Sequence, residues 1–217
     1  TPAIKVQLQL AFRSDMVSNN QLNRWKLRLH CKTAVIGRID GWFNNSGFGE
    51  FKSHSLVETA RTLGLPATGK GCLAVASHVT DNTWKSDDGD ETDTNVLIGR
   101  SSPFSSIGPT RDDRQKPEIT APGQYLTAGL AANSAMAAES ERALNAQRLL
   151  TIEGTSMSAP MVTGAVALLL QKKPTLTADQ IRSLLAASAR VDAHTGAVWN
   201  PSYGHGKLDI AKALSQV

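Results

Sequence analysis

Cysteine is scarce in this chain, with Cys31 and Cys72 the two in 217 residues. Two thiols cannot build a disulfide framework, and these two lack the spacing of a metal site, so they read as buried thiols or one incidental bridge. They leave the compartment open. Long apolar runs are missing as well: the longest uncharged stretch, Ser156 to Gln171, stops short of the ~18 to 20 residues that cross a bilayer and is expected to be a core helix. Charge of one sign is not concentrated either. The 23 basic and 19 acidic residues give a net +4, and the basic ones are scattered, without the patch or stripe that nucleic-acid binding uses. Neither a nucleic-acid nor a membrane partner is expected. A basic start followed by an apolar run and a small-residue cleavage site is also not seen, and TPAIKVQLQLAF begins inside a strand pattern.

What is present suits one ordinary domain with a real core, 41% hydrophobic and 19% charged. Residues 1–64 read as β-rich. In AIKVQLQLAF, Ile4, Val6, Leu8 and Leu10 alternate with polar residues, and Trp25, Leu27, Leu29 and Cys31 do the same in RWKLRLHC; GRIDGWF is a third expected strand. The turn-rich stretches between them suggest a small antiparallel sheet. The character changes over 65–217. CLAVASHV, 72–79, is apolar without alternation, as in a strand covered on both faces of an α/β sheet. Residues 80–95 are polar, and the carboxylates of the acidic loop 87–93 do not fit the D-x-[DN]-x-[DN]-G calcium frame, so it reads as a solvated loop. RSSPFSSIGPTRDDRQKPEITAPG reads as ordered irregular structure, while the Ala-rich 130–150 fits either helix or an excursion.

The last third is clearest. From Ser156 to Gln171 apolar residues cover most of a helix surface, which places that helix in the middle of a domain; QKKP ends it, with two lysines at the negative end of the dipole. Thr177 and Gln180 then form a capping box opening a second helix with Ile181, Leu184 and Leu185 on one face. Ser156 itself is either a helix cap or a nucleophile. A serine becomes a nucleophile beside a general base, with N–H donors where the oxyanion develops. The first turn of a helix offers such donors. Gly154 would let a substrate backbone approach, and Pro160 is expected in the first turn, where its missing N–H costs nothing.

GTSMSAPMVTGAVALLL resembles the nucleophile segment of the subtilisin-like serine proteases, the subtilases, whose pattern is G-T-S-M-[SA]-x-P before a small and apolar helix. SSPFSSIGPTRDDRQKPEITAPG resembles their serine-rich segment leading to K-P-[DE]-[IV]-x-A-P-G, CLAVASHV takes the place of A-I-x-V-G-A, and YGHGKLDIAKAL resembles G-x-G-x-[LIV]-[DN]-A-x-x-A-[LIV]. RWKLRLHC and GRIDGWF look like a β insertion of some bacterial members. The resemblance implies an α/β fold, part of a doubly wound parallel sheet with an antiparallel β-rich segment at the N-terminus. It implies Ser156 as nucleophile, with its own N–H as an oxyanion donor, Thr155 and Gly154 supporting oxyanion and substrate, a peptide substrate, and no metal or other cofactor.

The family's Asp in D-[TS]-G, His in H-G-[TS]-H and oxyanion Asn in a G-N context do not occur here. Asp40 looks like the insertion's own aspartate. His30, His54, His78, His194 and His205 are isolated and read as strand or surface residues, and neither Asn133 nor Asn145 can be assigned to the oxyanion. The chain is therefore expected to be the C-terminal portion of a larger subtilase, inactive alone, whose partner is the upstream half. An exported location follows from the resemblance. Two other readings stand beside it: a non-catalytic binding or assembly module in which Ser156 is a cap, and a Ser–His enzyme that recruits one of the five histidines.

Overall fold

The structure, a computed structural model, describes residues 40–42 and 57–217. The chain divides into two compact units, Thr1–Gly41 and Trp42–Val217, and every element below lies in the second. The strands expected before residue 37 lie outside the described residues.

The centre of this unit is a pair of parallel strands, β1 (Val75–Val79) and β4 (Ile119–Gln124), in register from Val75 opposite Ile119 to His78 opposite Pro122. Parallel pairing requires a long crossover. Part of that crossover is the hairpin β2 (Thr83–Ser86) and β3 (Gly89–Thr92), so the acidic stretch expected as a plain loop is in fact paired, with Asp87 and Asp88 as its two-residue turn. The rest is the serine-rich stretch, whose hydroxyls replace strand partners beside β1. The Ser77 amide donates to Ser105 Oγ (3.0 Å), Ser77 Oγ lies 2.8 Å from Ser102 Oγ, and the Ser102 amide donates to the Ser77 carbonyl (3.0 Å).

KPEI, residues 116–119, ties the two central strands together. Lys116, almost fully buried, donates to Glu118 Oε1 (2.7 Å) and to the Cys72 carbonyl (2.5 Å), while Glu118 Oε2 accepts the Ala74 amide (2.7 Å). A buried charge is tolerated only when paired and hydrogen-bonded, and here each partner also fixes the entry to a strand.

After β4 the chain forms a second sheet, order β5-β7-β6, from β5 (Leu126–Gly129), β6 (Ala143–Leu144) and β7 (Leu149–Ile152), all antiparallel. The Ala-rich excursion between β5 and β7 is thus neither a helix nor loose: it contains two short 3-10 turns, Ala135–Ala138 and Asn145–Gln147, around β6. β7 runs directly into α1 (Thr155–Lys172), followed by α2 (Ala178–Ser188) and α3 (Ile210–Ser215). Thr177 and Gln180 make the expected capping box, and Asp209 caps α3 through the Lys212 amide.

α1 packs on β1 and β4, and its buried Val162 and Leu169 meet Ile119 and Ala121 of β4 and Ile181 and Leu185 of α2. Each such fully buried aliphatic side chain contributes about 2 kcal/mol. The helix is apolar nearly all round, yet it buries only one side. Pro160, Met161, Gly164 and Leu168 instead line an open groove of about 670 Å³ together with Leu208 and Ile210. Met161 and Leu168 are nearly half exposed. The expectation that α1 is enclosed is therefore corrected: among the described residues Leu208 and Ile210 flank its second face and leave Met161 and Leu168 open.

β4 and the start of α1 approach so closely at Gly123 that a Cβ there would lie 2.1 Å from Ser158 Oγ, 2.3 Å from Ser77 Oγ and 2.9 Å from the Gly154 carbonyl oxygen. Backbone cannot yield as a side-chain tip can. Gly123→Ala is expected to destabilise the chain by about 3 kcal/mol, at the upper end for overpacking, as measured by urea unfolding; a loss under about 0.5 kcal/mol would show that the contact relaxes freely.

Candidate active site

Ser156 is the second residue of α1 and is exposed, while Thr155 and Gly154 beside it are half-buried. The N-cap is Gly154, not Ser156. A cap is the residue before the first helical one, so the serine sits too far into the helix to be one. Gly154 has φ +145°, a conformation in which L side chains are strained, and it brings no side chain to cap the helix. α2 and α3 are capped by Thr177 and Asp209. Among the described residues the amides of α1's first turn therefore have no side-chain cap, on a helix of 18 residues whose dipole makes that end positive. The Met157 amide closes back on the Gly154 carbonyl (2.9 Å), and the Gly154 amide donates to the Gly123 carbonyl (2.8 Å), fixing the turn to β4.

Pro160 is not in the first turn. It is the sixth residue of α1, inside the helix, where its missing N–H withholds the i to i−4 bond from the carbonyl of Ser156 itself. The expectation of a first-turn proline is corrected: position 160 lies in the second turn whether the helix is counted from Ser156 or from Thr155. Beneath Ser156, Ser158 is fully buried and its hydroxyl has no hydrogen-bond partner among the described residues.

Of the five histidines, His30 and His54 lie outside the described residues. His78 is buried in β1, but neighbouring strand residues point to opposite faces. Ser77 faces Gly123 and α1, so His78 faces the other way, where Nδ1 lies 3.3 Å from Thr120 Oγ1. Burial first, then the nearby Lys207 and Arg190, lower its pKa to about 4, with Asp192 opposing them. It is a neutral, structural imidazole near pH 7. Lys207 is held there by the Gly99 carbonyl (2.8 Å) and Asp192 Oδ2 (2.7 Å), and its hydrogen bond to Asp192 is the main cause that takes that carboxyl down to about 2. His194 lies against Gly99 in the same region, and the amide of His205 donates to the Glu118 carbonyl. Among the described residues no hydrogen bond joins a histidine to Ser156.

Neither asparagine approaches Ser156 through a hydrogen bond. Asn133 is exposed on the excursion, and Asn145 donates its amide to Asp87 Oδ2 (2.6 Å) and the Ala137 carbonyl (2.9 Å). Two further carboxylates of this stretch, Asp88 and Asp93, are engaged in the same way. Ser140 Oγ donates to Asp88 Oδ2 (2.7 Å), and the Tyr125 hydroxyl to Asp93 Oδ2 (2.6 Å). No three potential ligand side chains converge for a metal among the described residues.

The chain is similar to known proteins over its larger part. The model of the Subtilase family, peptidase S8, matches residues 44–206. The serine protease AprX of Bacillus subtilis is 32% identical over 126 residues, which are 58% of this chain and 26% of AprX. The autotransporter lipoprotein NalP of Neisseria meningitidis is 46% identical over 67 residues, 30% of this chain and 6% of NalP. Among solved structures, the CspB protease of Clostridium perfringens superimposes with a TM-score of 0.50 at 26% identity, covering 72% of this chain and 29% of CspB. The chain thus spans only a minor part of these relatives.

Two outcomes follow from the geometry. Ser158→Ala removes a buried hydroxyl without a partner and is expected to leave stability unchanged or raise it by up to about 1 kcal/mol; a loss above about 1 kcal/mol in urea unfolding would reveal a hydrogen bond from that hydroxyl. His78 binds its proton more weakly folded than unfolded, so stability is complete above pH 6.5 and falls as pH drops from 6.5 through 4, by about 3 kcal/mol in all. Comparing unfolding at pH 7.5 and 4.5 should show a smaller pH effect in His78→Gln than in the parent; equal effects would assign the acid sensitivity elsewhere.

Proposed function

The chain belongs to the subtilase family, and on that footing we propose that it is the nucleophile-bearing portion of a serine endopeptidase domain, acting through an acyl-enzyme at Ser156. The observation that carries this is an exposed Ser156 in Gly-Thr-Ser-Met-Ser-Ala-Pro, two residues past a glycine N-cap, on a long helix whose first turn has no side-chain cap among the described residues. Ser156 Oγ attacks the peptide carbonyl carbon while a general base takes its proton. The carbonyl oxygen becomes an oxyanion against the Ser156 amide, with the Thr155 hydroxyl in support. Collapse expels the amine as a proton returns to it, and water then releases the acid by the reverse steps. Gly154 leaves room for the substrate backbone to reach this turn.

The base and its orienting carboxylate are assigned to an upstream half of the domain, along with the oxyanion asparagine. The bare face of α1 supports this, since Met161 and Leu168 lie open on a helix apolar enough to be covered on both sides. Because triad members act as a unit, the chain alone retains only the modest acceleration of an oxyanion site. The substrate is protein or peptide. No helix among the described residues is long and apolar enough to cross a membrane, and the autotransporter name of NalP supports an extracytoplasmic location.

Labelling with a fluorophosphonate, read by mass spectrometry at Ser156 with Ser156→Ala as control, tests this. The label should appear on Ser156 when the upstream half is added and be at least about 10³-fold slower without it. Equal labelling of the chain alone would assign the base to its own histidines. No labelling of the associated halves would leave a subtilase-shaped binding module.

A further inference from the structure

Between β7 and Gly154 stands Glu153, a carboxylate three residues before Ser156 that is held at both oxygens. Gln124 Nε2, at the end of β4, donates to Glu153 Oε2, and Arg142 Nη2 reaches Glu153 Oε1 at 3.4 Å. Neither partner is loose. Gln124 is only 2% exposed. Arg142 belongs to the excursion and lies over the stacked rings of Trp84 and Tyr125, 5.6 and 5.3 Å from their centroids, with the rings themselves 4.3 Å apart. Trp84 Nε1 donates to the neighbouring Glu141 carbonyl (2.8 Å), and Tyr125 is anchored on Asp93. The hairpin, the excursion and the end of β4 thus converge on one side chain.

We infer that Glu153 is a positioning residue for Ser156, and that Gln124 and Arg142 act on the nucleophile through it; the inference rests on the protease reading above. The turn pivots on Gly154, whose φ of +145° and lack of a side chain make it the least constrained residue between strand and helix. The hydrogen bond from its amide to the Gly123 carbonyl fixes one point of the pivot, and one hydrogen bond leaves rotation about it. The clamp on Glu153 supplies the second fixed point. A displacement of about 1 Å at a reacting atom can cost on the order of 10²-fold in rate, so a second point of fixation matters at this position. Arg142 has a further consequence. It faces a carboxylate close in sequence to where negative charge develops, and without it that charge opposes the oxyanion.

The test uses the complete catalytic domain, upstream half included, with peptide hydrolysis and fluorophosphonate labelling measured beside thermal unfolding. Wild-type protein that neither labels nor hydrolyses overturns the protease reading and leaves no role to position. Given an active wild type, Glu153→Ala should lower kcat about 30-fold with KM within twofold, and Glu153→Gln, which keeps the shape and an acceptor, should recover most of that loss. Arg142→Ala should lower kcat more than Glu153→Gln does, and its defect should shrink in the double variant Arg142→Ala/Glu153→Gln, where no carboxylate is left bare. Glu153→Ala at the wild-type kcat would overturn the inference, as would a fall in kcat that neither Glu153→Gln nor the double variant relieves. Should Glu153→Ala fail to fold, the Arg142→Ala and double-variant comparison decides alone, through the same relief or its absence.

Discussion

The hydrogen bond from the Gly154 amide to the Gly123 carbonyl, 2.8 Å long, holds the end of the central parallel pair against the start of α1. It forms because both residues lack a side chain at the contact. Gly123 has no room for one, and Gly154 needs a backbone conformation that other residues adopt only under strain. Everything near Ser156 follows from that approach. It sets the entry angle of the helix, buries Ser158 beneath the exposed serine, and makes the N-cap a residue that cannot cap. The amides left open are the physical basis for reading the turn as an oxyanion site.

Around this contact the fold uses buried charge as fixed pegs. Lys116 and Glu118 hold the entries of β1 and β4, and Lys207, bonded to Asp192 and the Gly99 carbonyl, holds the C-terminal segment that pairs beside β4 at Thr120. Such pairs are weak evidence for net stability, since desolvation offsets much of their attraction. Their clearer effect is to fix register. Glu153 extends the same device to the turn before the helix, with Gln124 and Arg142 in place of a lysine.

The local features were legible in the sequence. An apolar run gave β1, the Thr177–Gln180 spacing gave the capping box, and the uncharged stretch gave α1 to within a residue of its start. The placing of Pro160 in the first turn failed on spacing alone, since it is the fifth residue counted from Ser156 and the sixth from Thr155, beyond one turn of about 3.6 residues either way. Contacts across long separations were not legible. The hairpin at 83–92 and the excursion at 130–148 are stabilised by each other, through Asp87 with Asn145, Asp88 with Ser140 and Trp84 with Glu141, and no short-range period encodes such pairs. The clamp on Glu153 belongs to this class. The bare side of α1 was missed for another reason: hydrophobicity states that a face is suited to burial, and only structure states what lies on it. The belonging of the chain to the subtilase family came from short strings, and the geometry explains several of them, KPEI by the buried ion pair and APG by the approach at Gly123.

The central claim is that the exposed serine at this glycine-capped helix start is a nucleophile that forms an acyl-enzyme. Its most direct measurement is the intact and peptide mass of the complete domain, acid-quenched within milliseconds to seconds of mixing with an activated peptide ester. The account predicts a transient mass increase equal to the acyl group, mapped to the peptide containing Ser156, rising in a burst and decaying at the turnover rate. Turnover without any acyl adduct on Ser156, or an adduct mapped to another residue, would contradict it.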